Sequence, residues 1–195
     1  MAGTSGAVNM DDLIEGTLAL WCEGVVENEM REARWVQDEA FDAETRRRFK
    51  EVQRRASAGE LGAWTETPKG SLAPVIVLDQ FSRNLNRGSA APLANNPKAL
   101  AIAEAGIEKA WGGEFSESDR VFFYSPHEHS EEFDVQRRFV GVFFETRMGA
   151  EYPEVHMRLI ERFGRFPHRN AVLGRSNTPE EDEYFAQTRE GFEAG

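Results

Sequence analysis

Apolar residues recur along this chain with a helical period and almost nowhere with the alternation of a strand. Phe41, Thr45, Phe49, Val52 and Ala56 fall at i, i+4, i+8, i+11 and i+15, which makes one buried stripe along a helix. Leu100, Ala103, Ile107 and Ala110 with Trp111 repeat the pattern, and Leu13, Thr17, Leu20 and Trp21 suggest an N-terminal helix. Leu72 to Leu85 is apolar on most sides, which predicts a central helix with Pro74 tolerated in its first turn. Val75-Ile76-Val77-Leu78 alone looks strand-like, but Asp79-Gln80-Phe81 continues a helical pattern better than it makes a turn.

Capping chemistry supplies the boundaries. Ser125-Pro126-His127-Glu128 and Thr178-Pro179-Glu180-Glu181 each put a hydroxyl at N-cap, proline at N1 and glutamate at N3. Phe133 to Phe144 reads as the continuation of the helix opened at Ser125. Asn96-Pro97 reads as another start, and Ser116 with Asp119 as a weaker one, while Gly112-Gly113, Gly149 and Gly174 stand where helices should stop. The expectation is an all-α fold of packed helical hairpins, about eight helices in number. No clean repeat of tetratricopeptide length is visible. Residues 1–195 read as one helical domain with 1–9 as a disordered tail.

Composition narrows the partners. The chain has 195 residues, 40% of them hydrophobic, and a formal net charge of −11. That charge argues against general nucleic-acid or anionic-membrane binding, since phosphate-rich partners are repelled on average. Cys22 is the single cysteine, so there is no intramolecular disulfide and no cysteine-based zinc site. No apolar run reaches membrane-spanning length, and no lysine or arginine precedes Arg31, so a cytoplasmic protein is expected.

Three polar blocks could carry chemistry. Asp79 to Arg87 places Arg83, Asn84 and Arg87 near the end of the apolar helix, either as a clamp for a carboxylate or phosphate or as partners of the helix dipole; Asp79 and Arg83 could also simply pair. His127-Glu128-His129-Ser130-Glu131-Glu132 invites a metal, but His127 and His129 at i, i+2 point to different helix faces, so no metal ligands are assigned. His129 is the better candidate, as a general acid–base group oriented by a carboxylate, taken as Glu131. Arg158 to Arg175 holds five arginines and His168 in an acidic protein, and its His168-Arg169-Asn170 follows an aromatic turn at Phe166-Pro167. That tripeptide reads either as a site wall or as a buried network that fixes the fold. Glycine-rich phosphate loops, nucleophile elbows and zinc-protease motifs are absent from the sequence.

These blocks also carry a resemblance. Leu20-Trp21, Arg34-Trp35 with Phe41-Asp42, Gly59-Glu60-Leu61 with Trp64, Leu78-Asp79-Gln80-Phe81-Ser82-Arg83-Asn84, Arg87-Gly88, and Glu128-His129-Ser130-Glu131 with Gln136 come in an ordered series. Arg162 to Asn170 and then Leu173-Gly174-Arg175 close it. In these the chain resembles the bacterial domain-of-unknown-function 924 family of the tetratricopeptide-like helical superfamily, from about Leu18 to Phe185. Ser82, His127 and Cys22 depart from that family's usual residues. The resemblance implies packed helical hairpins and no particular activity.

The functional expectation is a site for a small anionic, carboxylate- or phosphate-bearing molecule. Arg83, Arg165 and Arg169 would hold the anion, Asn84 and Asn170 would orient it, His129 or His168 would move a proton, and Glu131 would set the histidine tautomer. Hydrolysis or proton transfer is the candidate chemistry; no cofactor and no oligomeric state are assigned. The alternative is a tetratricopeptide-like interaction module that binds a peptide in a concave groove.

Overall fold

The computed structural model describes residues 10–22, 39–86, 88–144 and 151–188. The expectations for the 1–9 tail, Arg34-Trp35, Arg87 and Gly149 lie outside those residues, as does the side chain of Phe41. Every regular element among them is helical.

The first two helices are α1 (Met10–Cys22) and α2 (Glu39–Ser57). On α2 the expected stripe is the buried face: Thr45, Phe49, Val52 and Ala56 are all 3% exposed or less. A short 3₁₀ turn (Gly62–Glu66) buries Trp64 and leads into α3 (Pro68–Ile76). There the Thr67 hydroxyl accepts from the Gly70 N–H and Pro68 occupies the first turn, so the helix starts six residues before Pro74. Pro74 is therefore interior to the helix, not in its first turn as the sequence suggested. The chain continues through a π-helical turn (Val77–Phe81) into α4 (Ser82–Leu85), and the N–H of Ser82 donates to the carbonyl of Val77, five residues back. Leu72 to Asn84 is buried on every side, which makes this rod the axis of the molecule.

Around the axis lie α1, α2, α5 (Ala91–Glu108) and α6 (Glu117–Glu128). Then follow α7 (Phe133–Phe144), packed on α6, and α8 (Glu151–Phe163), packed on α7. A 3₁₀ turn (Pro167–Arg169) precedes α9 (Pro179–Gln187). With α3 and α4 taken as one rod, the described residues form eight helices. Successive packing of neighbours is compatible with a tetratricopeptide-like arrangement. The main core joins Trp21, Phe49, Phe81, Phe123 and Phe139 around the rod, and a smaller cluster joins Leu159, Ile160 and Phe166.

Two proline-based boundaries are corrected. α5 begins at Ala91, with Pro92 in its first turn, so Pro97 is interior and Asn96 serves elsewhere. α6 begins at Ser116, whose hydroxyl accepts from the Asp119 N–H; Ser125 to Glu128 is its last turn, and α7 is a separate helix. Glu128 is thus not a capping acid. Thr178 does form the expected capping box with Glu181. The buried face of α5 is also rotated from the expected stripe: it is Pro92, Asn95, Asn96, Ala99, Ala103 and Gly106, and Ile107 is exposed. Close packing decides this, because a Cβ on Gly106 would lie 2.5 Å from Phe123 Cζ.

Candidate functional site

Asp79 sits in the π-helical turn with no exposed surface, and the polar chemistry of the protein is organised around it. Its Oδ2 accepts from Ser125 Oγ at 2.7 Å and from Gln80 Nε2 at 2.7 Å. Its Oδ1 accepts from His129 Nδ1 at 2.7 Å and from Arg83 Nη2 at 3.3 Å. Burial by itself would raise the Asp79 pKa, but the facing His129 and Arg83 and the hydrogen bonds donated by His129 and Ser125 hold it well below the usual carboxylate range. An ionised carboxylate only accepts, so the Nδ1 of His129 must carry the proton. Burial and then the charge of Arg83 push the His129 pKa down, which leaves its ring neutral with a basic Nε2. That nitrogen makes no hydrogen bond to the described residues, and the side chain keeps 11% of its exposure.

His129 is also the C-cap of α6, where backbone carbonyls lack helical partners. Its carbonyl accepts from Asn96 Nδ2 at 3.2 Å and from Arg169 Nη1 at 3.0 Å. Asn96 Oδ1 in turn accepts from Arg83 Nη2 at 3.0 Å. Arg169 Cζ lies over the Phe166 ring, 4.2 Å from its centre, and the Nε and Nη2 of this residue make no hydrogen bond to the described residues. The nearest carboxylate to Arg169, that of Glu131, is 3.9 Å away and already bound through both oxygens by Arg175. Burial, followed by repulsion from Arg83, lowers the Arg169 pKa to about 9. A guanidinium does not give up its proton under ordinary conditions, so Arg169 is a buried cation with a second cation, Arg83, nearby. His168 feels the same field: burial and the charges of Arg169, His156 and Arg83 lower its pKa to about 4.

The sequence-derived residues therefore divide. Arg83, His129, Arg169 and His168 share one neighbourhood, and Asn84 is buried beside Arg83 in α4. Arg165 and Asn170 belong to a different cluster. Arg165 binds both oxygens of Glu181, at 2.7 and 2.8 Å, and Asn170 donates to Glu181 at 3.2 Å and to Asn177 at 2.9 Å. The Glu181 pKa is lowered to about 2, chiefly by Arg165. These contacts tie α9 to the turn after α8. Glu131 does not set the His129 tautomer: Asp79 holds that position, and Glu131 accepts instead from Arg175 and from the N–H of Phe166 at 3.0 Å. His127 lies apart, with Nδ1 donating to the Tyr124 carbonyl and the ring stacked on Phe139.

Three participants were not assigned from the sequence. Ser125 was read as a helix cap, and Asn96 as a helix start. His156 was passed over, although it lies on the apolar face of α8 with Leu159 and Ile160, three and four residues on, and that misfit was its signal.

The description "bacterial protein of unknown function (DUF924)" belongs to a family that matches residues 17–189. The chain belongs to the DUF924 family. A similar solved structure is that of the protein of unknown function ATU0120 from Agrobacterium tumefaciens, at 35% identity and a TM-score of 0.83, with 92% of this chain and 99% of that one covered. No curated protein matches significantly.

In this DUF924 member the ordered motifs meet at the polar centre: Asp79 to Asn84 from the central rod, Glu128 to Glu131 from the end of α6 and the loop after it, and Phe166 to Arg169 from the turn after α8. No group of three or more metal-ligating side chains occurs among the described residues.

Proposed function

We propose that this protein binds a small carboxylate- or phosphate-bearing molecule at the face shared by His129, Arg169 and His168, with His129 Nε2 as a general base toward it. The observation that carries this reading is Arg169: a largely buried guanidinium over the Phe166 ring with an unused donor edge, beside a neutral imidazole whose basic nitrogen is open. A guanidinium held over an aromatic face keeps its donor edge for bidentate binding of an oxyanion. Asp79 fixes the tautomer and orientation of His129, which suits proton transfer or activation of a water for hydrolysis.

Thermal unfolding against inorganic phosphate, carboxylates and phosphorylated metabolites tests this. A binder at a hundred times its dissociation constant stabilises by about 2.7 kcal/mol. The expected result is a raised midpoint in the native protein and in Arg165→Ala, which is itself less stable, and no ligand-dependent shift in Arg169→Lys. A shift that persists undiminished in Arg169→Lys, or no shift with any anion, overturns the reading. Stabilisation by an extended peptide alone would favour an interaction module instead.

A further inference from the structure

A second set of polar side chains lies away from the Asp79 centre, around His127 in the last turn of α6. α5 and α7 both pack on α6, and residues of all three helices bound a cavity of about 130 Å³. Its apolar walls are Tyr124, Phe139 and Ile107. The two rings are buried, but Ile107 keeps 37% of its exposure, so it stands at the mouth. His127 is only 2% exposed, and its ring stacks on Phe139 with 5.6 Å between centres. A carbonyl only accepts, so the bond from Nδ1 to the Tyr124 carbonyl places the ring proton on Nδ1. Burial lowers the His127 pKa, which keeps the ring neutral and leaves Nε2 a bare acceptor. That nitrogen makes no hydrogen bond to the described residues. It faces Glu104 Oε1, which also lines the cavity, at 3.7 Å.

Two acceptors cannot satisfy each other, but one nitrogen about 2.9 Å from each spans the gap between them and donates to both. The charges lining the cavity fix the sign of that donor. Arg138 Nη2 donates to Glu104 Oε1 at 2.6 Å and neutralises that carboxylate, and His127 is uncharged. Glu108, one turn beyond Glu104 on α5, has no ion pair among the described residues. Glu104 and Glu108 against Arg138 therefore leave one negative charge. A carboxylate or phosphate here would meet two carboxylates and a bare imidazole nitrogen. An ammonium would bring three donors and the opposite charge, and aromatic walls suit a cation as well as an apolar body. The volume admits about one benzene-sized group. We propose that this cavity is a second ligand site, for a small primary amine with an apolar body, whose ammonium donates to His127 Nε2 and Glu104 Oε1 while the body lies against Tyr124, Phe139 and Ile107. The site does not depend on the anion reading at Arg169, and its ligand has the opposite charge.

The chain has four histidines, so a ¹⁵N-histidine spectrum follows each ring. Benzylamine is the probe, with benzyl alcohol as its uncharged counterpart and benzoate as its anionic one. Benzylamine is expected to move the His127 Nε2 resonance and to spare His129. Benzyl alcohol should bind about tenfold more weakly, because it lacks the charge that strengthens the hydrogen bonds. Benzoate should leave His127 unmoved. Two variants at exposed positions, where the fold is not at stake, complete the test. Ile107→Trp fills the mouth and should abolish the His127 response, and Glu108→Gln should narrow the preference for amine over alcohol. No change at His127 with benzylamine would mean that water alone occupies the cavity, and it overturns the proposal. Equal binding of amine and alcohol overturns it too, as does a response that persists undiminished in Ile107→Trp.

Discussion

Asp79 shows how much a single buried carboxylate can organise. It has no exposed surface and accepts from Ser125, Gln80, His129 and Arg83, so its desolvation is offset on both oxygens. Asp79→Asn keeps the volume but removes the charge that Arg83 and His129 face. Loss of one partner from a buried ion pair costs about 3–5 kcal/mol, and urea unfolding of Asp79→Asn is expected to show a destabilisation of that order. A loss well below it would mean that Asn96 and solvent can satisfy Arg83 unaided. The sequence made Asp79 visible only as an i, i+4 neighbour of Arg83. Its hold on His129 spans fifty residues of chain and no local pattern encodes it. Glu131, two residues from His129, was for the same reason the natural but mistaken partner.

At the scale of elements, two prolines were misread in one way. Ser125-Pro126 and Asn96-Pro97 have the composition of helix starts, yet both lie inside helices, because Ser125 and Asn96 are spent on Asp79, Arg83 and the His129 carbonyl. Side chains that could cap a helix locally were taken by distant partners. The α5 face is settled similarly: Gly106 lets α5 approach the fully buried ring of Phe123. Gly106→Ala would place its Cβ 2.5 Å from Phe123 Cζ and 3.1 Å from Trp111 Cε3. Overpacking of this kind costs about 1–3 kcal/mol, and the same substitution at Gly141, where a Cβ meets nothing within 4 Å, is expected to be near neutral or stabilising. Paired denaturant melts of the two variants compare them directly.

Across the whole molecule, buried histidines couple folding to pH. His127, His129 and His168 all have pKa values below the ordinary histidine value, each mainly because burial opposes the charged ring. The unfolded chain therefore takes up protons before the folded one does. For His168 the window runs from about 6.5, the ordinary value, down to about 4. Its stabilisation is complete above the unfolded value and is lost as pH falls through that window, with a slope of up to about 1.4 kcal/mol per pH unit for one group. Unfolding free energy measured from pH 7 to pH 4 is expected to fall, and less steeply in His168→Asn. A flat profile, or one that steepens in the variant, would contradict burial of a neutral His168.

The chain by itself determined the helical class, the α2 stripe, the largely apolar character of Leu72 to Leu85, the Thr178 capping box and the membership of Arg83, His129, Arg169 and His168 in polar blocks. Each of these is a short-range property, written in periodicity, in capping chemistry or in charge held close along the chain. Only the tertiary structure decided which block meets which. It assigned Asp79 rather than Glu131 to His129, moved Arg165 and Asn170 to Glu181, and set His156 opposite His129. Those choices depend on the approach of helices distant in sequence, where a buried charge takes whichever partner the packing brings within hydrogen-bonding reach.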